Sequence, residues 1–373
     1  MSPQKIKICY TIPNFDTAGS GIALMKLITR LDKDRFDVSI VVNHTRGEYF
    51  REVVARTGIP VYVLKVSEKH GDNVRGFINA LRVAKFYRQH KFDIVYSYGY
   101  SSDFWEGVAA RIAGAKWIWV KKNLNWFGSS KKYWRLRTLL ANRVSVENKY
   151  MLEHFFNHAS KVIFNPISID TSEFYPREKD YALIGEIGFE RNEKIILSLS
   201  NMVRRKSVET LINAVSILKE KGVTDFKCLI MGGGDSEYVN ELKKLVDTLS
   251  LNDLIVFRGK SYETYRYYSI ADLFVINSLS EAGPATVLES MASGVITLGT
   301  KVGGMLDRLA EFPDQLCTPG DAWELSVKID KYLHLPAEEK ASVERHQVRV
   351  VQEQFSLEDE IKRHTRIYQD LMR

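Results

Sequence analysis

The side chains best suited to chemistry in this sequence are two carboxylates and a short run of cations. Glu281 and Glu289 have seven residues between them in the stretch Glu-Ala-Gly-Pro-Ala-Thr-Val-Leu-Glu. That pattern predicts a loop through Ala282, Gly283 and Pro284 that turns helical at about Ala285. A helix start leaves backbone N–H groups without an intrahelical acceptor, and such groups, here those around Thr286 and Val287, attract phosphate and sugar oxygens. Pro284 suits a first turn, because its φ is pre-set and the donor it lacks would be orphaned anyway. Glu289 falls about one turn in, with its side chain directed back toward the helix start, so both carboxylates are expected to address one ligand. Earlier, Asn201-Met202-Val203-Arg204-Arg205-Lys206-Ser207 follows an apolar run. Cations at such a corner are placed to neutralise a departing diphosphate. Plainer readings stand beside these: an acidic first turn satisfies the helix dipole by itself, and a corner lysine can simply be solvated.

These groups need a scaffold, and the apolar periodicity supplies one. Residues 274–304 read as strand, turn, amphipathic helix, second apolar run and Gly303-Gly304 turn, a parallel β-α-β unit. The same half holds strands at 194–199, 228–231 and 256–258, helices at about 208–221 and 262–270, and a turn Gly232-Gly233-Gly234-Asp235. In the other half, strands are expected at 5–12, 36–43, 61–66 and 92–97. Helical apolar spacing runs through Ile22, Met25, Leu27, Ile28 and Leu31, and again over about 75–90. Between the first strand and helix lies a small flexible loop ending Gly19-Ser20-Gly21, which lets backbone approach a phosphate closely; an ordinary turn is an equal reading. Strands separated by helices imply parallel sheets with right-handed crossovers. The fold class is therefore α/β, with ligands expected outside the carboxyl ends of the strands.

A chain of 373 residues is about twice a typical domain. No apolar run approaches the roughly 20 residues that span a bilayer. The first ten residues lack a signal-peptide core, because Ile6 and Ile8 alternate with lysines, so a cytoplasmic protein is expected. Cys9, Cys228 and Cys317 are far apart without metal or redox spacing and read as reduced, packed side chains. His154 and His158 share helical spacing but lack supporting carboxylates or thiolates, and Asp32-x-Asp34 lies at the wrong edge of the sheet, so no metal is expected. Charge is unevenly divided. Residues 1–170 hold 27 Lys plus Arg against 14 Asp plus Glu, and the remainder 26 against 32. A basic front half suits an anionic membrane, a pyrophosphate-bearing acceptor or nucleic acid. Residues 116–143 interleave Trp117, Trp119, Trp126 and Trp134 with eight lysines and arginines, as a membrane-surface segment would. Core tryptophans beside solvated lysines are the alternative. No nucleic-acid-binding module is recognisable.

The run Glu281-x7-Glu289, continued as Glu289-Ser290-Met291-Ala292-Ser293-Gly294, an apolar strand and Gly303-Gly304, resembles the retaining glycosyltransferase family 4 of the GT-B fold. That resemblance implies two Rossmann-like, doubly wound parallel-sheet domains facing a central cleft. An acceptor domain would span 1–170 and a nucleotide-sugar donor domain 171–355, with a last helix, 356–373, crossing back to the first. Residues 175–192 would be the linker. It implies transfer of a sugar from a UDP- or GDP-sugar to a glycan or lipid-pyrophosphate-linked acceptor in cell-surface polysaccharide or glycolipid synthesis. The nucleotide sugar is then a substrate, and no cofactor is expected. Carried over by position, Glu281, Lys206 and Arg205 are catalytic. Gly19, Ser20, Gly21, Asn201, Arg204, Gly233, Gly234, Arg258, Ala282, Gly283, Pro284, Thr286, Val287 and Glu289 bind the donor, with Glu289 on the ribose hydroxyls.

Three departures qualify the match. Many family members have a His after the strand matching 117–120, where this chain reads Lys121-Lys122-Asn123, so Asn123 or Lys122 is expected to contact the sugar. The usual Arg position falls on Asn201, which leaves Arg204 or Arg205 to supply the second cation. The family commonly has Gly where Ala282 stands. A non-catalytic sugar-nucleotide-binding protein and a sugar-nucleotide epimerase or phosphorylase of the same fold remain alternatives. Attachment at the inner face of the cell membrane, through 116–143, is the expected location.

Overall fold

The computed structural model describes residues 4–15, 18–66, 73–98, 104–121, 129–155 and 160–373. The chain divides into two compact units, Met1–Ile167 with Leu357–Arg373, and Ser168–Ser356. The first unit contains β1 (Ile6–Thr11), α1 (Ala18–Thr29), β2 (Phe36–Val42), α2 (Glu48–Glu52), β3 (Val61–Val63), α3 (Asn73–His90), β4 (Ile94–Ser97), α4 (Phe104–Ala113), β5 (Lys116–Lys121), α5 (Ser129–Leu140), β6 (Arg143–Val146), α6 (Lys149–Phe155) and β7 (Val162–Phe164). Its seven strands are parallel in the order β3-β2-β1-β4-β5-β6-β7.

Strand β5 shows why this sheet is closed on both faces. Ile118 and Val120 pack into one core cluster with Tyr10, Leu24 and Ile28, while Trp117 and Trp119 point to the opposite face and are almost wholly buried. The Trp117 indole N–H donates to Ser97 Oγ at 2.7 Å, and a Cβ at Gly107 on α4 would run into its ring. These two tryptophans are core side chains, which corrects their expected place on a membrane-facing surface; Trp126 lies outside the described residues.

The second unit contains α7 (Tyr181–Glu186), β8 (Lys194–Leu199), α8 (Val208–Glu220), β9 (Phe226–Met231), α9 (Ser236–Thr248), β10 (Ile255–Arg258), α10 (Thr264–Ile270), β11 (Leu273–Val275), α11 (Ala285–Ala292), β12 (Thr297–Thr300), α12 (Gly303–Arg308), β13 (Leu316–Cys317), α13 (Ala322–Leu333) and α14 (Ala337–Gln354). Its six strands are parallel in the order β10-β9-β8-β11-β12-β13. Strand order reverses between β8 and β11, the position at whose carboxyl edge doubly wound sheets bind ligands. Residues 175–192, expected as a linker, instead hold α7. Asp180 caps that helix by accepting from Leu183 N at 2.9 Å, and Leu183, Ile184, Ile187 and Phe189 join the main core of this unit. The charged residues between those four apolar positions hide a packed segment.

The chain then returns to the first unit as α15 (Leu357–Met372). Tyr368 is fully buried there, its hydroxyl bonded to that of Tyr10 and to His364 Nδ1 at 2.7 Å. His364 Nε2 meets Asn165 Nδ2 at 2.9 Å. All three cysteines are buried thiols, and burial pushes Cys228 up to about 12.

Asp272, at the start of β11, ties several elements of the second unit together. It accepts from Ile195 N at 3.0 Å and pairs with Lys179 at 2.9 Å and Lys340 at 3.1 Å. Burial alone would raise its pKa, yet the two ammonium groups hold it below the ordinary carboxylate value. A depressed folded-state pKa adds stability that is present above the unfolded value and lost as pH falls through the folded one. Asp272→Asn is therefore expected to destabilise this unit at neutral pH by about 2–3 kcal/mol, since it leaves two half-buried ammonium groups without their counter-charge. The deficit should shrink below about pH 4, where the wild-type carboxylate begins to titrate. Urea unfolding at neutral and acid pH measures both.

Candidate functional site

Two loops meet at the reversal in the second sheet. After β8 the chain makes one 3-10 turn, Arg204–Lys206, and enters α8 through Ser207, whose φ of 51° is left-handed. After β11 it runs through Asn277, Ser278 and Glu281 to Pro284, and α11 begins at Ala285. Leu279 N donates to Arg205 O at 2.8 Å, and Asn277 Nδ2 donates to the carbonyls of Lys206 and Ser207. An uncommon backbone conformation such as that at Ser207 persists where its surroundings over-determine it, and Asn277 provides that restraint.

Glu281 and Lys206 form an ion pair within this staple, both buried at 6% and 9% exposure. Ser278 Oγ donates to the same Glu281 oxygen at 2.8 Å, and Arg205 stands 3.8 Å from the other. Two cations facing one carboxylate leave the cluster with a net positive charge, which suits an anionic ligand. The loop is propped from below as well. Glu281 O accepts from Gly304 N at 3.1 Å, Ser278 O from Thr300 Oγ1 at 2.6 Å, and Gly283 O from the buried Arg308 Nη2 at 3.0 Å. A Cβ at Gly304 would collide with the Ala282 carbonyl, and one at Gly283 with the Arg308 guanidinium. Gly303 and Gly304 thus open α12 rather than forming the expected exit turn. They let this helix start press against the acidic loop.

Glu289 is held from another direction. Tyr268 on α10 donates to its Oε2 at 2.9 Å and lies 3.3 Å from Thr286 O. Burial, with Glu289 beside it, pushes the Tyr268 phenol well above its usual value, so it remains a donor throughout the neutral range. Pro284 is the N-cap of α11 rather than its first helical residue and gives no side-chain cap. Val287 is fully buried, so it can offer only backbone to a ligand.

The other expected donor contacts divide. Gly233 O accepts from Met202 N at 2.9 Å, and a Cβ at Gly234 would strike the Met202 carbonyl, so the glycine turn lies flat against residues 201–202. Asn201 is exposed there. Arg205 reaches Glu281, whereas Arg204 turns outward to Glu241 at 2.8 Å. Arg258 donates to Glu186 O at 3.0 Å. In the first unit Gly19, Ser20 and Gly21 lie in the opening turn of α1 and not in a loop before it; Gly21 sits against Phe15, where a Cβ would be 2.7 Å from its ring. Asn123 and Lys122 lie outside the described residues. Just before them, Lys121 ends β5 as a buried amine. Burial, reinforced by the nearby Arg137, lowers its pKa to about 8.

Sequence reasoning did not single out Asn277, Ser278, Tyr268 or Arg308. Gly283 and Gly304 were the available signals for a crowded loop. Among the described residues no cluster of His, Cys, Asp and Glu could hold a metal ion.

Two family models match the chain. The one described as Glycosyltransferase Family 4 covers residues 17–169, and the one described as Glycosyl transferases group 1 covers residues 182–348. The N-acetyl-alpha-D-glucosaminyl L-malate synthase of Bacillus anthracis is 28% identical over 212 residues, 55% of this chain and 52% of that enzyme. The chain thus matches about half the length of this relative. The crystal structure of a glycosyltransferase from Rickettsia africae ESF-5 superimposes with a TM-score of 0.86 at 21% identity, covering 99% of both chains. HepE of Anabaena, solved in complex with UDP-glucose, gives a TM-score of 0.81 at 17% identity over 98% of this chain and all of its own. At these identities the structural likeness is one of fold: two Rossmann-like parallel-sheet domains.

If the propped loop is what holds Glu281, disturbing the prop is costly without touching the carboxylate. Gly304→Ala is expected to destabilise the second unit by about 1–3 kcal/mol through overpacking. Arg308→Ala should cost about 2–4 kcal/mol, because buried carbonyls lose their donor. Chemical denaturation of each variant beside wild type measures these losses.

Proposed function

We propose that this chain, which belongs to the family 4 glycosyltransferases, transfers a sugar from a nucleoside-diphosphate donor to a glycan or lipid-linked acceptor with retention at the anomeric carbon and without a metal. The observation that carries the reading is the buried Glu281 gripped by Lys206, with Arg205 at 3.8 Å, at the strand-order reversal of the second sheet. Diphosphate departure builds negative charge on the leaving group. Pre-placed cations stabilise that charge more in the transition state than before it. Lys206 and Arg205 are the chain's groups for this task, with the α11 amides at Thr286 and Val287 beside them. Glu281, fixed by Ser278 and Lys206, faces the side where the sugar carbon turns positive. Glu289, oriented by Tyr268, takes the ribose hydroxyls.

UDP and UDP-glucose bound to HepE support a uridine nucleotide as the donor class. Malate, named for the Bacillus anthracis relative, widens the acceptors worth testing to small carboxylates. Arg204, engaged by Glu241, is assigned the lesser part of the cationic corner.

Glu281→Gln keeps the shape of the side chain and removes its charge. That variant and Lys206→Ala are each expected to lower donor hydrolysis by roughly 100- to 1,000-fold, measured as nucleotide release from UDP-sugars. Unchanged release in both variants would remove Glu281 and Lys206 from the chemistry, and a donor that wild type binds without releasing nucleotide would assign the chain to binding rather than transfer. A chelator should leave turnover unaffected.

Screening UDP- and GDP-sugars by thermal melting identifies the base. A donor at about 100 times its Kd should stabilise the folded chain by about 2.7 kcal/mol, and the non-cognate base should leave the midpoint where it was.

A further inference from the structure

Helix α3 carries an apolar stripe that the first unit does not cover. Val74, Phe77, Ile78 and Leu81 are 69%, 47%, 60% and 45% exposed. They recur at helical spacing on a single face. The opposite face, Gly76, Asn79, Ala80, Val83, Ala84 and Tyr87, is buried. The exposure therefore does not come from a frayed or displaced helix. Exposed apolar side chains scattered singly are ordinary, whereas a contiguous row is a contact surface.

The charges of α3 indicate what that surface meets. The helix holds Arg75, Arg82, Lys85 and Arg88 and no Asp or Glu. On a helical wheel, Lys85 and Arg88 continue the apolar stripe into the following turns, while Arg75 and Arg82 line one edge of it. Trp105 of α4 lies beside the stripe, its ring 6.1 Å from that of Phe77. It settles over Gly76, where a Cβ would run into the indole. An apolar row with an indole at its margin and cations alongside is the composition of a helix lying in a bilayer interface. A second copy of the chain is disfavoured, because a two-fold contact through this helix would cover its cations with no Asp or Glu of the same helix to pair with them. Among the described residues no helix is long and apolar enough to cross a membrane, so attachment through these residues is peripheral.

We propose that α3 docks the first unit on an anionic bilayer, with Phe77, Ile78 and Leu81 entering the headgroup boundary and Lys85 facing lipid phosphates, while the Arg82 and Arg88 guanidiniums, which donate to the Lys65 and Ile112 carbonyls, add positive charge nearby. This places membrane contact on α3 rather than on the segment 116–143 that the sequence suggested. The two tryptophans of that segment described by the structure in β5 are buried.

The test is sedimentation of the full chain with vesicles of phosphatidylglycerol mixed with phosphatidylcholine, against vesicles of phosphatidylcholine alone. Wild type should pellet with the anionic vesicles and be released by raised salt. Phe77→Ser with Ile78→Ser should weaken pelleting by about tenfold or more, and Lys85→Gln alone by about fivefold, with the melting midpoint of each unchanged. The proposal is overturned if wild type stays in the supernatant, or if the α3 variants pellet like wild type while Arg135→Glu does not. It is also overturned if the serine pair only converts a dimer to a monomer. Nucleotide release in vesicle-free buffer should be equal in wild type and the α3 variants, so failure here and failure of sugar transfer are read separately.

Discussion

The ion pair between Glu281 and Lys206 is the constraint from which the second unit is best understood. Burying either charge alone would be strongly unfavourable, and even together they need further hydrogen bonds to offset desolvation. The surroundings provide these. Ser278 donates to the carboxylate, Asn277 holds the turn carrying the lysine, and Leu279 N closes the backbone between the two loops. The pair is consequently held by the chain's own groups, the condition under which oriented charges act with little reorganisation. The pairing is possible because β8 and β11 are neighbours. Each strand delivers one partner, and only adjacent carboxyl ends at a reversal of strand order bring such loops together.

Much of this was legible in the sequence, for a physical reason. Period-two apolar runs alternating with period-3.6 ones specify strands and crossover helices locally, and the resulting parallel order fixes which loops share an edge. Glu281, Glu289 and Lys206 could be singled out because each lies just past such a run. What supports them was hidden. Arg308, Asn277 and Tyr268 act over long sequence separations, and nothing in their immediate neighbours distinguishes a buried arginine from a solvated one. The glycines misled in two places. At 19–21 and 303–304 small residues suggested loops, yet both pairs open helices, and at 304 the glycine is needed for close approach of α12 to Ala282.

The misplacement of Trp117 and Trp119 has a similar origin. Tryptophan among lysines fits an interface and also fits a strand whose tryptophans face inward, and composition does not separate the two. Burial does. The stripe on α3 escaped notice because its apolar residues conform to an ordinary amphipathic helix. Only the packing against α4 reveals that Gly76, Ala80 and Ala84 lie inward, with Val83 and Tyr87, while Val74, Phe77, Ile78 and Leu81 lie outward. An inverted helix of this kind is a feature of tertiary structure and not of periodicity.

The discontinuous make-up of the first unit bears on how the chain is made. Ser168–Ser356 is contiguous, and its two ends are joined where Ile169 N donates to Phe355 O at 2.9 Å. That unit has all its residues as soon as position 356 has emerged. Its predecessor, although synthesised earlier, still lacks Tyr368, against which Tyr10 and Tyr96 pack. During translation the amino-terminal sheet must wait, with part of its apolar face uncovered, until the final helix arrives. The later-made unit can therefore complete its fold first, and the nascent amino-terminal half is where a chaperone would find its binding surface.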